Sequence, residues 1–102
     1  MVAAFGGADV RCADYALFGT QALSDAALHA LDGRKACLLA NHGAITLGRT
    51  LADAAALAVE LEILARQYLM SLQAGGPVLL SAAEIDAALT AFQDYGASAT
   101  RA

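Results

Sequence analysis

Residues 41–43, Asn-His-Gly, contain the side chain best suited to chemistry, the imidazole of His42. Imidazole is the commonest metal ligand among protein side chains and a general base near neutral pH. His42 follows a short apolar run at 36–40 and precedes a glycine, so a fixed backbone would direct its ring beyond the end of a strand. A lone histidine at a strand end is more often a hydrogen-bonded structural residue, and that alternative stays open here.

The sequence does not supply a complete metal site by spacing alone. A catalytic zinc ion normally has three protein ligands and one open position. The other histidine, His29, lies in a predicted helix at no metal-like spacing from His42, and we interpret it as helix surface. No His-x-His, Cys-x-x-Cys or His-Glu-x-x-His pattern occurs in the 102 residues. These residues are therefore not expected to hold a catalytic zinc ion by themselves.

Other chemical signatures are weak. The glycine pairs at 6–7 and 75–76 lack the spacing of a dinucleotide fold or a P-loop, and we interpret them as turns. Glu60 and Glu62 are two residues apart in a predicted helix and point in different directions, which argues against a carboxylate pair. Tyr95 lies in a small-residue, polar C-terminal stretch, where a mobile phenol can donate a proton to a substrate oxygen. A packing role is the alternative for Tyr95.

Composition restricts the class of protein. Hydrophobic residues make up 59% of the chain, above the usual 45–50% or so, which predicts apolar surface for a partner chain or another part of the same domain. The net charge of −4, with six scattered Lys and Arg, argues against nucleic-acid binding. No apolar run reaches the roughly 20 residues of a membrane helix, and no signal peptide is recognisable. We predict a cytoplasmic protein with Cys12 and Cys37 as free, buried thiols, a disulfide between them being the alternative.

The hydrophobic pattern predicts a mixed α and β chain. Strands are expected at 9–12, 36–40 and 44–47, and helices at 21–31, at 51–74 and from a capping box at 81–84 to about residue 93. Thr20 and Thr50 are the predicted N-caps of the first two helices. In the long helix, apolar residues recur at helical spacing and predict one buried stripe, formed by Leu57, Leu61, Leu64, Tyr68 and Leu72.

Six segments, in order and over essentially the whole chain, resemble the class II aldolase/adducin family, in particular its L-fuculose-phosphate aldolase-like members. The most specific part is the run 35–43 together with the long helix that follows it. The matching segments are 3–7 (AAFGG), 10–20 (VRCADYALFGT), 33–43 (GRKACLLANHG), 59–68 (VELEILARQY), 77–81 (PVLLS) and 92–96 (FQDYG).

The resemblance implies a fold and three site residues. The implied fold is part of an α/β/α sandwich, with a small, mostly antiparallel sheet and three helices. Such domains usually form tetramers with active sites between subunits. His42 matches the last of the family's three zinc-binding histidines. Tyr95 matches a C-terminal tyrosine that reaches a neighbouring subunit's site and helps to protonate the aldehyde, and Phe18 matches an aromatic residue near the substrate.

The resemblance also implies what residues 1–102 lack. In the family, a His-x-His pair, the catalytic glutamate, the phosphate-binding loops and another tyrosine precede the matched segments. We therefore expect residues 1–102 to be the C-terminal portion of the domain, without its N-terminal half. In an intact relative, zinc binds the hydroxyketone oxygens of dihydroxyacetone phosphate and stabilises the enediolate. This chain is expected to be inactive alone and to hold no zinc tightly, so whether it is an enzyme stays uncertain.

The expected partners follow from the same reasoning. They are a complementary N-terminal half or further copies of the chain, with a sugar-phosphate substrate only if the site is completed. Two alternatives stay open: a non-catalytic, adducin-like oligomerisation module, and a truncated gene product.

Overall fold

The computed structural model describes the backbone of residues 1–101 and the side chains of residues 1–94. A 3-10 turn, three strands and three α-helices follow one another in the predicted α/β order. They are the 3-10 turn Val2–Phe5, β1 (Cys12–Ala13), α1 (Gln21–Ala30), β2 (Ala36–Leu39), β3 (Gly43–Thr46), α2 (Leu51–Gln73) and α3 (Ala82–Arg101). The last helix is longer than predicted, because the polar composition after residue 93 does not end it.

The predicted helix starts are confirmed by side-chain hydrogen bonds. The hydroxyl oxygens of Thr20 and Thr50 each accept a bond from the backbone N–H three residues ahead, at 3.3 and 3.1 Å. Before α3, the backbone N–H of Ser81 donates to the Glu84 carboxylate at 2.9 Å, and the Glu84 N–H donates to the Ser81 hydroxyl at 3.2 Å. These bonds satisfy N–H groups that have no partner within the helices.

The strands form a mixed sheet in the order β1-β2-β3. β1 pairs in parallel with β2, with Cys12 opposite Leu38 and Ala13 opposite Leu39. β2 pairs antiparallel with β3 along its whole length, from Ala36 opposite Thr46 to Leu39 opposite Gly43. Since β1 and β2 run in parallel, a crossover must connect them, and α1 is that crossover. The small, mostly antiparallel sheet of the expected fold is confirmed.

Helices cover both faces of this sheet. Successive residues of a strand point to opposite faces, and β2 shows this clearly. Cys37 packs with Ala13 and with Ala30 of α1 in one buried cluster. Ala36 packs on the other side with Phe5 and with Leu61 of α2. The layers therefore have the α/β/α order that the resemblance implies.

The predicted buried stripe of α2 is only half correct. Leu61 is buried, and Leu57 and Leu64 pack against the same cluster. Tyr68 and Leu72 are instead 52% and 48% exposed. The reason is length: a helix of 23 residues is about 35 Å long, whereas a strand of four residues is about 13 Å long. The second half of α2 therefore extends beyond the sheet that covers the first half.

Over the described residues, none of the helices is both long enough and apolar enough to cross a lipid bilayer.

Candidate active site

A tight turn between β2 and β3 carries His42. The His42 N–H donates to the Leu39 carbonyl at 3.0 Å, which closes the turn. Asn41 adopts the left-handed conformation, with φ of 66°, and Gly43 follows with φ of 148°. Asparagine tolerates the left-handed region better than most residues, and glycine has no Cβ to oppose a positive φ. The predicted position of His42, beyond the end of a strand, is confirmed.

Two neighbouring residues hold the His42 ring. Its Nε2–H donates a hydrogen bond of 2.8 Å to the Ala16 carbonyl oxygen. Its face stacks on the Tyr15 ring, with the ring centroids 5.4 Å apart and the planes 17° from parallel. A carbonyl oxygen can only accept, so Nε2 carries the proton and Nδ1 is the unprotonated nitrogen of the neutral ring. No hydrogen bond within the described residues involves Nδ1, and the side chain is exposed.

The orientation of His42 fits one ligand of a metal site. Ligating histidines commonly donate their second ring N–H to a carbonyl or carboxylate oxygen, which fixes the ring and its tautomer. The contact with Ala16 has this form. Among the side chains of residues 1–94, however, no group of three His, Cys, Asp or Glu residues lies close enough together to hold a metal ion. Among the described residues, His42 is therefore the one side chain that we assign as a candidate metal ligand.

The segment between β1 and α1 brings Phe18 to the same region. Phe18 lies two residues after Ala16 and is 75% exposed. The Thr20 hydroxyl donates to the Leu17 carbonyl at 2.6 Å and so fixes the end of this segment before α1 begins. An exposed phenyl ring in the segment whose Ala16 carbonyl contacts His42 offers apolar surface to a ligand, and the role of Phe18 near a substrate stays a prediction.

The other predicted residues lie elsewhere or outside the described side chains. Tyr95 falls within the span of α3, but its side chain is not among the described residues, so its role stays a prediction. His29 is exposed on α1, as expected for a surface residue.

The two thiols lie on opposite faces of the sheet. Cys12 is opposite Leu38 and therefore shares a face with it, whereas Cys37 points to the other face. Both cysteines are free, as predicted, but only Cys37 is buried. The prediction of a buried thiol is wrong for Cys12, which is exposed because its side chain lies on the other face of the short strand β1. Burial raises the pKa of the Cys37 thiol, the nearby Cys12 adds to this, and a backbone hydrogen bond involving Ile45 opposes it.

Sequence reasoning did not identify Tyr15 and Ala16 as neighbours of His42. Tyr15 and His42 are 27 positions apart in the chain, and the contact forms because β1 and β2 pair side by side. The Ala16 contact uses a backbone carbonyl, which every residue type has, so no sequence signal could reveal it. Asn41 next to Gly43 did indicate a turn, though not the orientation of the ring.

Comparisons with known proteins agree with this fold. The family model described as Class II Aldolase and Adducin N-terminal domain matches residues 1–69. A 5-methylthioribulose-1-phosphate/5-deoxyribulose-1-phosphate aldolase of Rhodospirillum rubrum is 54% identical over 99 residues, which are 97% of this chain and 45% of that protein. An L-fuculose phosphate aldolase of Escherichia coli K12 is 46% identical over 97 residues, covering 94% of this chain and 45% of the relative.

A solved structure extends the similarity to three dimensions. An L-fuculose 1-phosphate aldolase superposes with a TM-score of 0.86 at 37% identity, covering 90% of this chain and 43% of that one. The chain thus spans less than half the length of the curated relatives that it matches. The family model, the sequence identity and the superposition together show that the chain belongs to the class II aldolase and adducin family.

Proposed function

We propose that this chain supplies part of the active site of a metal-dependent class II aldolase that cleaves sugar phosphates. The observation that carries the proposal is the presentation of His42, exposed on a tight turn with one ring nitrogen fixed and the other unprotonated. The similar proteins support the substrate class, since their names specify L-fuculose phosphate, 5-methylthioribulose 1-phosphate and 5-deoxyribulose 1-phosphate. The proposed substrates are therefore ketoses phosphorylated at the first carbon.

In this proposal the residues of the chain have distinct tasks. His42 is one zinc ligand, and the other ligands come from residues outside 1–102 or from a partner chain. Bound zinc would supply Lewis-acid stabilisation of negative charge on substrate oxygens. Phe18 provides apolar surface beside the substrate. Tyr95 donates a proton to the aldehyde oxygen. Among the described side chains, no group of three possible ligands lies close together, so we expect residues 1–102 to be inactive alone.

The exposed apolar residues are the proposed contact with the rest of the enzyme. Val78 and Leu79, between α2 and α3, are 98% and 81% exposed. Leu69 and Met70, on the part of α2 beyond the sheet, are each 61% exposed. Apolar surface of this extent commonly marks an interface. We propose that another part of the domain or a second copy of the chain covers it.

Fragment complementation tests this proposal. Residues 1–102 are mixed with the N-terminal portion of the Rhodospirillum rubrum relative, and zinc content and cleavage of L-fuculose 1-phosphate and 5-deoxyribulose 1-phosphate are measured. We expect the mixture to bind zinc and cleave at least one substrate, and the chain alone to do neither. His42→Gln lowers the rate of the mixture by at least about 100-fold, since it removes a ligand rather than a supporting group.

His29→Gln is the matched control, because it removes the other histidine without touching the site. A mixture containing His42→Gln that keeps full zinc occupancy and activity contradicts the proposal. A stable, metal-free homo-oligomer that is unaffected by the N-terminal portion supports the adducin-like assembly module instead.

A further inference from the structure

We propose that the outer edge of β3 is a strand-pairing site, and that a strand from the part of the domain outside residues 1–102 pairs with it. The inference rests on the proposed function only in taking the complementary part of an aldolase domain as the partner. The pairing itself concerns backbone atoms of β3, so it can be measured without any catalytic activity.

The backbone of β3 presents hydrogen-bonding groups to its outer edge at every second residue. In an antiparallel pair, residues whose N–H and C=O face the partner strand alternate with residues whose groups face away. The Leu47 N–H donates to the Lys35 carbonyl at 2.8 Å, so Leu47 faces β2. Ala44 and Thr46 lie an odd number of positions before Leu47, and their N–H and C=O groups therefore face away from β2.

The residue opposite Ala44 supports this assignment. Leu38 of β2 lies opposite Ala44, but its N–H donates to the Arg11 carbonyl at 2.8 Å, on the β1 side. Leu38 and Ala44 are thus a pair that is not joined by ladder hydrogen bonds. Among the described residues, the backbone bonds outside the helices and the sheet include none from Ala44 or Thr46. Two N–H and two C=O groups are therefore available at this edge.

Helices occupy the two faces of β3, which leaves the plane of the sheet as the direction of approach. The Thr46 hydroxyl donates to the Ala54 carbonyl of α2 at 2.8 Å. Ile45 points to the other face and packs against the cluster beneath α1. Gly43 and Ala44 are exposed. A partner that reaches the exposed part of β3 in the plane of the sheet can use its backbone groups only as an extended strand.

The sequence of β3 lacks the features that protect an edge from pairing. Proteins protect exposed edges with charged side chains, proline, bulges or very short strands. Residues 43–47, Gly-Ala-Ile-Thr-Leu, contain no charge and no proline. β3 pairs with β2 residue for residue, without a bulge. The opposite edge of the sheet, β1, has two residues and so offers less backbone. We therefore expect β3 to be the edge that is paired in the assembled enzyme.

The length of the relatives argues for the partner. The chain spans 45% of the Rhodospirillum rubrum relative, so more than half of that protein lies outside the match. Sheets commonly have about 4–6 strands, whereas the sheet of the described residues has three. A strand from the rest of the domain would extend the sheet and remove the exposed edge. A second copy of the chain is the competing outcome of the test.

Amide hydrogen exchange in a full-length chimera tests the pairing. The chimera joins the N-terminal portion of the Rhodospirillum rubrum relative to residues 1–102. In the chain alone, we expect fast exchange at Ala44 and Thr46 and slow exchange at Ile45, which faces β2. In the chimera, exchange at Ala44 and Thr46 should slow by about 100-fold or more, while Ile45 stays protected.

Three results of this measurement overturn the inference. The first is exchange at Ala44 and Thr46 that is as fast in the chimera as in the chain alone. The second is loss of protection at Ile45 in the chimera, because the added portion then does not complete this sheet. The third is slow exchange at Ala44 and Thr46 that develops in the chain alone as its concentration rises, which assigns the edge to a second copy.

Two substitutions at Ala44 separate a hydrogen bond from simple burial. Ala44→Pro removes the outward N–H and leaves the bonds between β3 and β2 in place, whereas Ala44→Val keeps that N–H. In the chimera, the urea midpoint of Ala44→Pro should lie below that of Ala44→Val. In the chain alone, the two midpoints should agree. A difference of the same size in both proteins contradicts a bond from the Ala44 N–H to an added strand.

Cleavage of 5-deoxyribulose 1-phosphate by the same chimera distinguishes this inference from the proposed function. Slow exchange at Ala44 and Thr46 without cleavage supports the strand pairing and contradicts the aldolase activity. Cleavage together with fast exchange at both residues supports the aldolase activity and overturns the strand pairing.

Discussion

The two cysteines show how strongly one residue's environment depends on the face of a strand. Cys12 and Cys37 lie in neighbouring strands, yet Cys12 is exposed and Cys37 is buried in the cluster beneath α1. Thiolate is the reactive form of cysteine, and burial raises the pKa of the Cys37 thiol, so little thiolate forms there near neutral pH. The two thiols should therefore differ in reactivity.

We predict that one thiol per folded chain reacts rapidly with an aromatic disulfide reagent, and that this thiol is Cys12. Cys12→Ser should slow the labelling by at least about 100-fold, because Cys37 reacts only when the structure opens. Cys37→Ser should leave the fast phase intact. Both thiols should react at similar rates in denaturant, which serves as the control. Rapid labelling of the folded Cys12→Ser variant would contradict the assigned burial.

At the candidate site, the sequence predicted the reactive group but not what holds it. His42 stands out because histidine is rare in this chain and because Gly43 breaks the pattern of the strand. Its contacts with Tyr15 and Ala16 depend on the parallel pairing of β1 and β2, which no local pattern encodes. The chemistry of a side chain can be read from its type, whereas the atom it offers depends on tertiary contacts.

At the level of the helices, the local sequence predicts well the residue at which each helix begins. Thr20, Thr50 and Ser81 were each predicted as helix-start residues, and each side-chain oxygen accepts a bond from the N–H three residues ahead. N-capping depends on a few consecutive residues, which explains why the sequence is sufficient. Strand β1 was less predictable: the prediction was 9–12, but pairing with β2 is confined to Cys12–Ala13.

Thr50 should contribute measurably to stability, because it caps the longest helix. We predict that Thr50→Ala lowers the free energy of unfolding by about 1 kcal/mol, measured by urea denaturation. Thr90→Ala is the matched control. The Thr90 hydroxyl donates to the Asp86 carbonyl within α3, a contact that adds little to a helix, so this variant should change stability far less. Equal effects of the two substitutions would count against the capping role.

The capping box of α3 predicts a pH dependence. Hydrogen bonds from the backbone N–H and then the hydroxyl of Ser81 hold the pKa of Glu84 below its ordinary value. A carboxylate with a lowered pKa in the folded state stabilises the fold above its ordinary pKa of about 4.3, and this contribution is lost as the pH falls through the folded-state pKa. Glu84→Gln should therefore reduce the loss of stability between about pH 5 and pH 3.

Urea denaturation at a series of pH values measures this effect. Glu62→Gln makes the same change of charge on an exposed part of α2 and serves as the control. We expect the pH profile of Glu62→Gln to follow that of the unaltered chain more closely than the profile of Glu84→Gln does. Identical profiles for the two variants would contradict a role for the Ser81 bonds.

At the level of the whole molecule, helix α2 is the element whose burial the sequence-based prediction overestimated. Its apolar residues recur at helical spacing, which indicates which face is apolar but not how much partner surface is available. The sheet covers Leu61 but not Tyr68. The exposed side of α2 also forms a shallow depression of about 370 Å³. It is lined by Val59, Glu62, Ile63, Arg66, Gln67 and Met70. Many of the exposed apolar side chains among the described residues therefore lie on α2 and the segment after it.

This distribution predicts that the chain associates in solution. Light scattering at micromolar concentration should show a mass above that of a monomer. Leu79 is 81% exposed, and burying a leucine contributes about 1.5–3 kcal/mol, so Leu79→Glu should weaken association by about 10-fold or more. Gln73→Glu adds the same charge at the exposed end of α2 without removing apolar surface, and should have little effect.

The identity of the partner decides how this association is to be understood. If another part of the domain normally covers α2, adding the N-terminal portion of the Rhodospirillum rubrum relative should replace the self-associated species by a defined heterodimer. Leu79→Glu should then weaken that heterodimer as well, because both partners would use the same apolar surface. If a second copy covers it, the homo-oligomer should persist in the mixture. A chain that stays a monodisperse monomer at micromolar concentration, both alone and mixed with the N-terminal portion, would contradict an interface on this apolar surface.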